Sequence, residues 1–196
     1  MKGKGSTPML LVVALICTPS APSQSNDPRS QPKANLRVEH KTDHGTGITS
    51  VKLEPMLIQY DEASKSYITF SAFCSYEDNS PTKPKFIALY FHSRSPSRRF
   101  PDGSGLLLLL DAETIKLTTG DNNKSGEGAT WAFSERERDV FNESYSVFIS
   151  EQTLIKMITA KKVEVQFGRI DLSFSEAHRQ ALRDLAARIV NAKGAV

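Results

Sequence analysis

Cysteine is scarce in this sequence, with only Cys17 and Cys74 among 196 residues. So few thiols cannot build a disulfide framework, and the fold must be held by a core. Histidine is scarce too, at four residues, which leaves few combinations for a metal or general-base site. Charge of one sign is also missing: of the net +3, Lys2 and Lys4 supply two units. A phosphate-neutralising surface needs a concentrated basic face, so the balance implies no nucleic-acid partner. The longest apolar run, Met9 to Cys17, has nine residues, far short of a bilayer span.

What is present at the N-terminus has the three parts of a secretion signal. Lys2 and Lys4 give a positive start, Met9 to Cys17 (MLLVVALIC) the apolar stretch, and Ala21-Pro22-Ser23 a cleavage site before Gln24. Cys17 stands where a lipid-anchor cysteine would, but Ile16 precedes it where a small residue is expected, so plain cleavage is favoured over lipidation. The expectation is an exported product, periplasmic or extracellular, with no transmembrane span. Residues 24–35 are rich in Pro, Ser and Asn and read as a linker. The expected organisation is a signal at 1–23, a linker at 24–35, and one β-rich domain with a C-terminal helix at 36–193.

Within that domain, period-2 alternation dominates. From Tyr67 to Tyr76 the even positions Ile68, Phe70, Ala72, Cys74 and Tyr76 form one apolar face. Phe86 to Phe91 and Leu106 to Leu110 are apolar on both faces, as in covered central strands. Thr114 to Thr118 and Tyr145 to Ile149 alternate again. Near the end, Val163, Val165 and Phe167 pair with Phe174, Leu172 and Ile170 across Gly168-Arg169, and Gly in first place predicts a type II′ hairpin. Ser150 and Ser175 are positioned to cap two helices, the second with an Ala181, Leu182, Leu185 and Ile189 stripe. Seven to nine strands with few helices predict a mostly β fold. An antiparallel β-sandwich or strongly curved sheet with a packed terminal helix is expected, and a closed barrel is the alternative.

Chemistry-bearing residues do not converge. His40 and His44 flank Asp43, but on an extended strand they would stand about 13 Å apart, and Gly45 and Gly47 argue against a helix. Asp121, Asn123 and Ser125, followed by Gly126, match the opening of a calcium loop. The match stops there, because Lys124 repels a cation and Ala132 stands where a bidentate Glu belongs. Gly103-Ser104-Gly105 lacks the spacing of a nucleophile elbow. Cys74 falls on an apolar strand face and reads as a core thiol. No cofactor motif is present. A hydrolase reading would have to draw its acids from Asp111, Glu135, Glu137 or the loop at 120–128.

One basic stretch stands out. His92 to Arg99 (HSRSPSRR) places Arg94, Arg98 and Arg99 in a Ser/Pro-rich loop suited to gripping a carboxylate, phosphate or anionic polysaccharide. These three arginines are the expected binding residues.

The segment Ser150 to Ile189 resembles a pattern found in uncharacterised exported bacterial β-rich proteins. The features that carry the resemblance are a short helix, the strand Lys161-Lys162-Val163-Glu164-Val165, then Gly168, a second strand and the helix containing Ala181-Leu182-Arg183. The resemblance implies an envelope protein and brings no active site with it. The functional expectation is a non-catalytic envelope module that binds a protein partner or a polysaccharide. A polymer hydrolase and a lipocalin-like carrier are the alternatives.

Overall fold

Alternation of apolar and polar side chains sets the first sheet. In the computed structural model, which describes residues 38–77, 86–100, 105–117 and 127–191, the strand β3 (Ser66–Glu77) buries Ser66, Ile68, Phe70, Ala72 and Cys74 in strict alternation. Its odd positions, Phe73 among them, face the other way and are half-buried from Tyr67 to Phe73. β1 (Val38–Asp43) and β2 (Ile48–Asp61) precede it, and β4 (Ile87–Ser95) pairs with its far side. β7 (Gly128–Glu137) and β8 (Val140–Ile149) complete a six-stranded sheet in the order β1-β2-β3-β4-β8-β7.

The second sheet has four strands in the order β10-β9-β5-β6: β5 (Leu106–Leu110), β6 (Glu113–Leu117), β9 (Val163–Phe167) and β10 (Ile170–Ser173). Every pairing in both sheets is antiparallel. Two sheets with open ends correct the closed-barrel alternative: neither sheet returns to its first strand. The space between them is filled by side chains, with Phe70, Phe91 and Phe167 fully buried. Phe167 of β9 meets Phe91 of β4 at 4.9 Å and Tyr145 of β8 at 4.8 Å between ring centroids, so the sheets pack face to face.

The hairpin of β9 and β10 forms in the expected register, with Ile170 opposite Phe167 and Leu172 opposite Val165. Gly168 takes φ +57°, the left-handed conformation that the first position of a type II′ turn demands. Ten strands stand among the described residues, more than the seven to nine expected. The surplus lies in β1, β2 and β7; β1 is largely exposed, and so are residues 132–137 of β7, whereas β2 buries Thr49, Val51 and Leu53. In β2 the register with β3 shifts between Leu53 and Met56, at Glu54-Pro55. Proline has no N–H for a ladder bond and is accommodated at such a bulge.

Two helices join the described strands, α1 between β8 and β9 and α2 after β10. α1 (Glu151–Thr159) is capped by Ser150, whose Oγ accepts from Thr153 N. α2 (Glu176–Asn191) turns Ala181, Leu182, Leu185 and Ile189 into the core. Among the described residues no helix is long and apolar enough to cross a membrane. All of them belong to one unit, Pro32–Val196.

Candidate anion-binding groove

The basic loop takes its shape from a buried carboxylate. Beyond Ser95, the last residue of β4, the chain turns through Pro96 and Ser97 and exposes Arg98. Glu143 of β8, only 1% exposed, lies beneath the turn. Its Oε2 accepts a hydrogen bond from Arg99 N at 2.6 Å and its Oε1 one from Phe100 N at 3.4 Å. Arg98 Nε stands 3.8 Å from the same Oε1. A buried charge is tolerable when it is paired and hydrogen-bonded, and here it fixes the loop backbone from below. Phe100 anchors the far end, its ring 5.0 Å from Phe167 and 6.0 Å from Tyr145.

Arg99 is aimed by two further contacts. Its Nη2 donates to Ser66 Oγ at 2.5 Å and its Nη1 to Gln59 Oε1 at 3.3 Å. Beside it opens a groove of about 710 Å³, lined by Gln59, Arg98, Arg99 and Phe100 on one side. Gly168, Arg169, Ile170 and Asp171 of the β9–β10 hairpin line the other. The groove thus joins the end of β2, the loop after β4 and the hairpin of the second sheet. Three arginines, Arg98, Arg99 and Arg169, line it against one acidic residue, Asp171. Its carboxylate already accepts from Gln166 Nε2 at 2.9 Å. Phe100 and Ile170 add apolar surface. The arrangement suits an extended, negatively charged chain: fork-shaped donors for carboxylates, and an apolar floor for what lies between them.

Of the expected binding residues, Arg98 and Arg99 line this groove and Arg94 does not. Arg94 sits within β4, exposed, opposite Tyr67 and Asn142. The strand continues through it to Ser95, so it belongs to the sheet and not to the loop. Sequence reasoning missed Gln59, Arg169 and Glu143. Arg169 was visible as a turn residue, but only the fold carries it to the loop after β4.

The other candidates are dispersed. Asp111, at φ +51° in the β5–β6 turn, accepts from Lys162 N at 2.8 Å and Lys161 N at 3.2 Å. Those bonds hold its carboxyl below the ordinary carboxylate range and fix the turn against the start of β9. Glu135 and Glu137 are exposed on β7, an edge strand of the other sheet. His40 lies exposed on β1 and His44 in the following turn. Among the described residues, no group of three metal-ligating side chains assembles. Asp121, Asn123 and Ser125 lie outside the described residues, as do Gly103, Ser104 and Cys17. Cys74 is buried, and desolvation pushes its thiol up to about 12, as for an inert core thiol.

Two histidines serve the structure. His92 Nδ1 meets Ser144 Oγ at 3.2 Å, and burial together with neighbouring Arg94 holds its pKa down. His178 lies between Ser175 and the Leu57 carbonyl, inside the joint of α2 with β2.

The fold and groove define a two-sheet antiparallel β domain with a basic cleft at one corner. In comparisons with known proteins, no family model, curated protein or solved structure matches the chain.

Proposed function

We propose that this chain is an exported, non-catalytic binding module that grips a carboxylate-bearing extended partner in the groove between Arg98, Arg99 and Arg169. The observation that carries the reading is that these three arginines line one open groove of about 710 Å³. Export rests on the signal pattern at residues 1–23. A binding role, and not hydrolysis, is favoured because Asp111 is committed to backbone amides while Glu135 and Glu137 belong to the other sheet. General acid–base cleavage of a polymer requires carboxyl groups facing one another across a cleft.

The test is calorimetric titration of the full chain with a polycarboxylate, oligogalacturonate or an acidic peptide, at low and high salt. Simultaneous Arg98→Ala, Arg99→Ala and Arg169→Ala substitution should weaken binding at least tenfold, because charge-assisted bonds to carboxylates are lost together. Arg94→Ala should leave affinity within about twofold, since Arg94 does not line the groove and an exposed charge outside it contributes little. Equal affinity of the triple variant, with its fold verified by circular dichroism, would remove the groove as the binding site.

A further inference from the structure

Resting on that reading of the groove, we propose that its partner is an acidic polypeptide segment that adds as an extra strand to the open edge of β10. The strand order of the second sheet ends at β10, so among the described residues no strand is hydrogen-bonded along one side of β10, although β2 of the first sheet passes near it. Hairpin parity says which backbone groups that side presents. Phe174 N donates to Val163 O at 2.9 Å, and the pair 163/174 belongs to the same alternating set as 165/172 and 167/170. Those residues turn their N–H and C=O groups toward β9. Asp171 and Ser173 lie opposite Gln166 and Glu164 in the alternate, non-hydrogen-bonded pairs, so their backbone donors and acceptors face away from β9. Both residues are exposed.

An unpaired edge alone is not a binding site, and a strand of four residues is one of the ways proteins blunt an edge. What selects a partner here is charge. The groove runs along the start of β10, bordered by Ile170 and Asp171, and its remaining rim carries Arg98, Arg99 and Arg169. A strand laid against β10 would find main-chain partners on Asp171 and Ser173 and guanidinium groups beside it. A polysaccharide could pair with the arginines but has no regular N–H and C=O ladder to offer the edge. Asp171 adds a rule of specificity. An acidic residue directly opposite it is disfavoured, so the partner's Asp or Glu residues belong at positions flanking that pair.

Three probes test this on the full chain. The first is a ten-residue peptide alternating Thr or Val with Glu. The second is that peptide N-methylated only on the edge that would face β10, with a control methylated on the opposite edge. The third is oligogalacturonate of matched charge. The proposal expects the peptide to raise amide-exchange protection at Asp171 and Ser173 at least tenfold. Methylation on the facing edge should weaken binding at least tenfold, while the control peptide keeps its affinity. Ser173→Pro, which removes an outward N–H and spares every arginine, should reproduce the loss.

Equal binding of the peptide and its facing-edge methylated form, or unchanged protection at the two amides, overturns strand addition. If oligogalacturonate then binds in an arginine-dependent manner, the groove reading survives without it. If no acidic probe binds, both readings fail.

Discussion

His178 shows how much one side chain does at the joint between α2 and β2. The Ser175 N–H points at its Nδ1 from 3.0 Å, so Nδ1 is the acceptor and Nε2 carries the proton. Nε2–H then donates to the Leu57 carbonyl at 3.0 Å. Burial disfavours the charged ring and prevails over the Leu57 bond that favours it, so its pKa falls below the ordinary 6.5. The unfolded chain therefore binds this proton more readily than the folded one. Stability from the neutral ring is complete above about pH 6.5 and is lost as pH falls from there through the lowered folded pKa. His92 shifts in the same direction, and the carboxyls of Asp61, Asp111 and Glu127 are held below their own ordinary values. Thermal melts between pH 7.5 and 5 should show a falling Tm, with a shallower slope in His178→Gln. At pH 7.5 that variant should cost about 1–3 kcal/mol, the range for disrupting a buried hydrogen-bonded group. An unchanged slope would mean that His178 is not the titrating group. Nothing near His178 in the sequence marks its partner. Its acceptor is a backbone carbonyl 121 residues away, and no local pattern encodes that.

Elements were legible where two signals agreed. The β9–β10 hairpin carries alternation on both arms and a glycine at the one turn position that needs positive φ, so its register could be read directly. β7 lacks that agreement: residues 132–137 are all exposed, and a stretch with no buried face leaves no period in its sequence. β2 hides itself differently, because the bulge at Pro55 shifts the phase of its apolar positions midway. The capping of α1 shows a similar division. Ser150 was readable as its N-cap, but Glu127, just ahead of β7, is the second half of the cap. Its Oε1 accepts from Ser150 N at 2.5 Å and Thr153 Oγ1 at 2.7 Å, a carboxylate at the positive end of a helix. Those hydrogen bonds prevail over desolvation and hold its pKa below the usual value. Glu127→Ala should destabilise the protein by about 1 kcal/mol and raise amide exchange selectively in the first turn of α1. Uniform exchange throughout the chain would argue against a local latch.

For the molecule as a whole, the groove depends on how the two sheets are held against each other. Arg98 and Arg99 are adjacent in sequence and advertise a basic loop, whereas Gln59 and Arg169 come from opposite sheets and meet that loop only after folding. Phe167 is the shared anchor of these walls. It is fully buried, it immediately precedes Gly168-Arg169 on one side, and it supports the Phe100 ring at 5.0 Å on the other. Tyr145 and Phe91 enclose it from the first sheet at 4.8 and 4.9 Å. Phe167→Ala would open a cavity at the centre of the interface and should cost about 3–5 kcal/mol. Phe167→Leu keeps most of the volume and should cost much less. The shared anchor predicts that stability and binding move together in this series. Phe167→Leu should melt in one cooperative transition at a lower Tm, with weaker polycarboxylate binding although every arginine is intact. Full affinity in a clearly destabilised Phe167→Leu would show that the loop holds its shape through Glu143 alone. Packing between the sheets would then have no part in forming the groove.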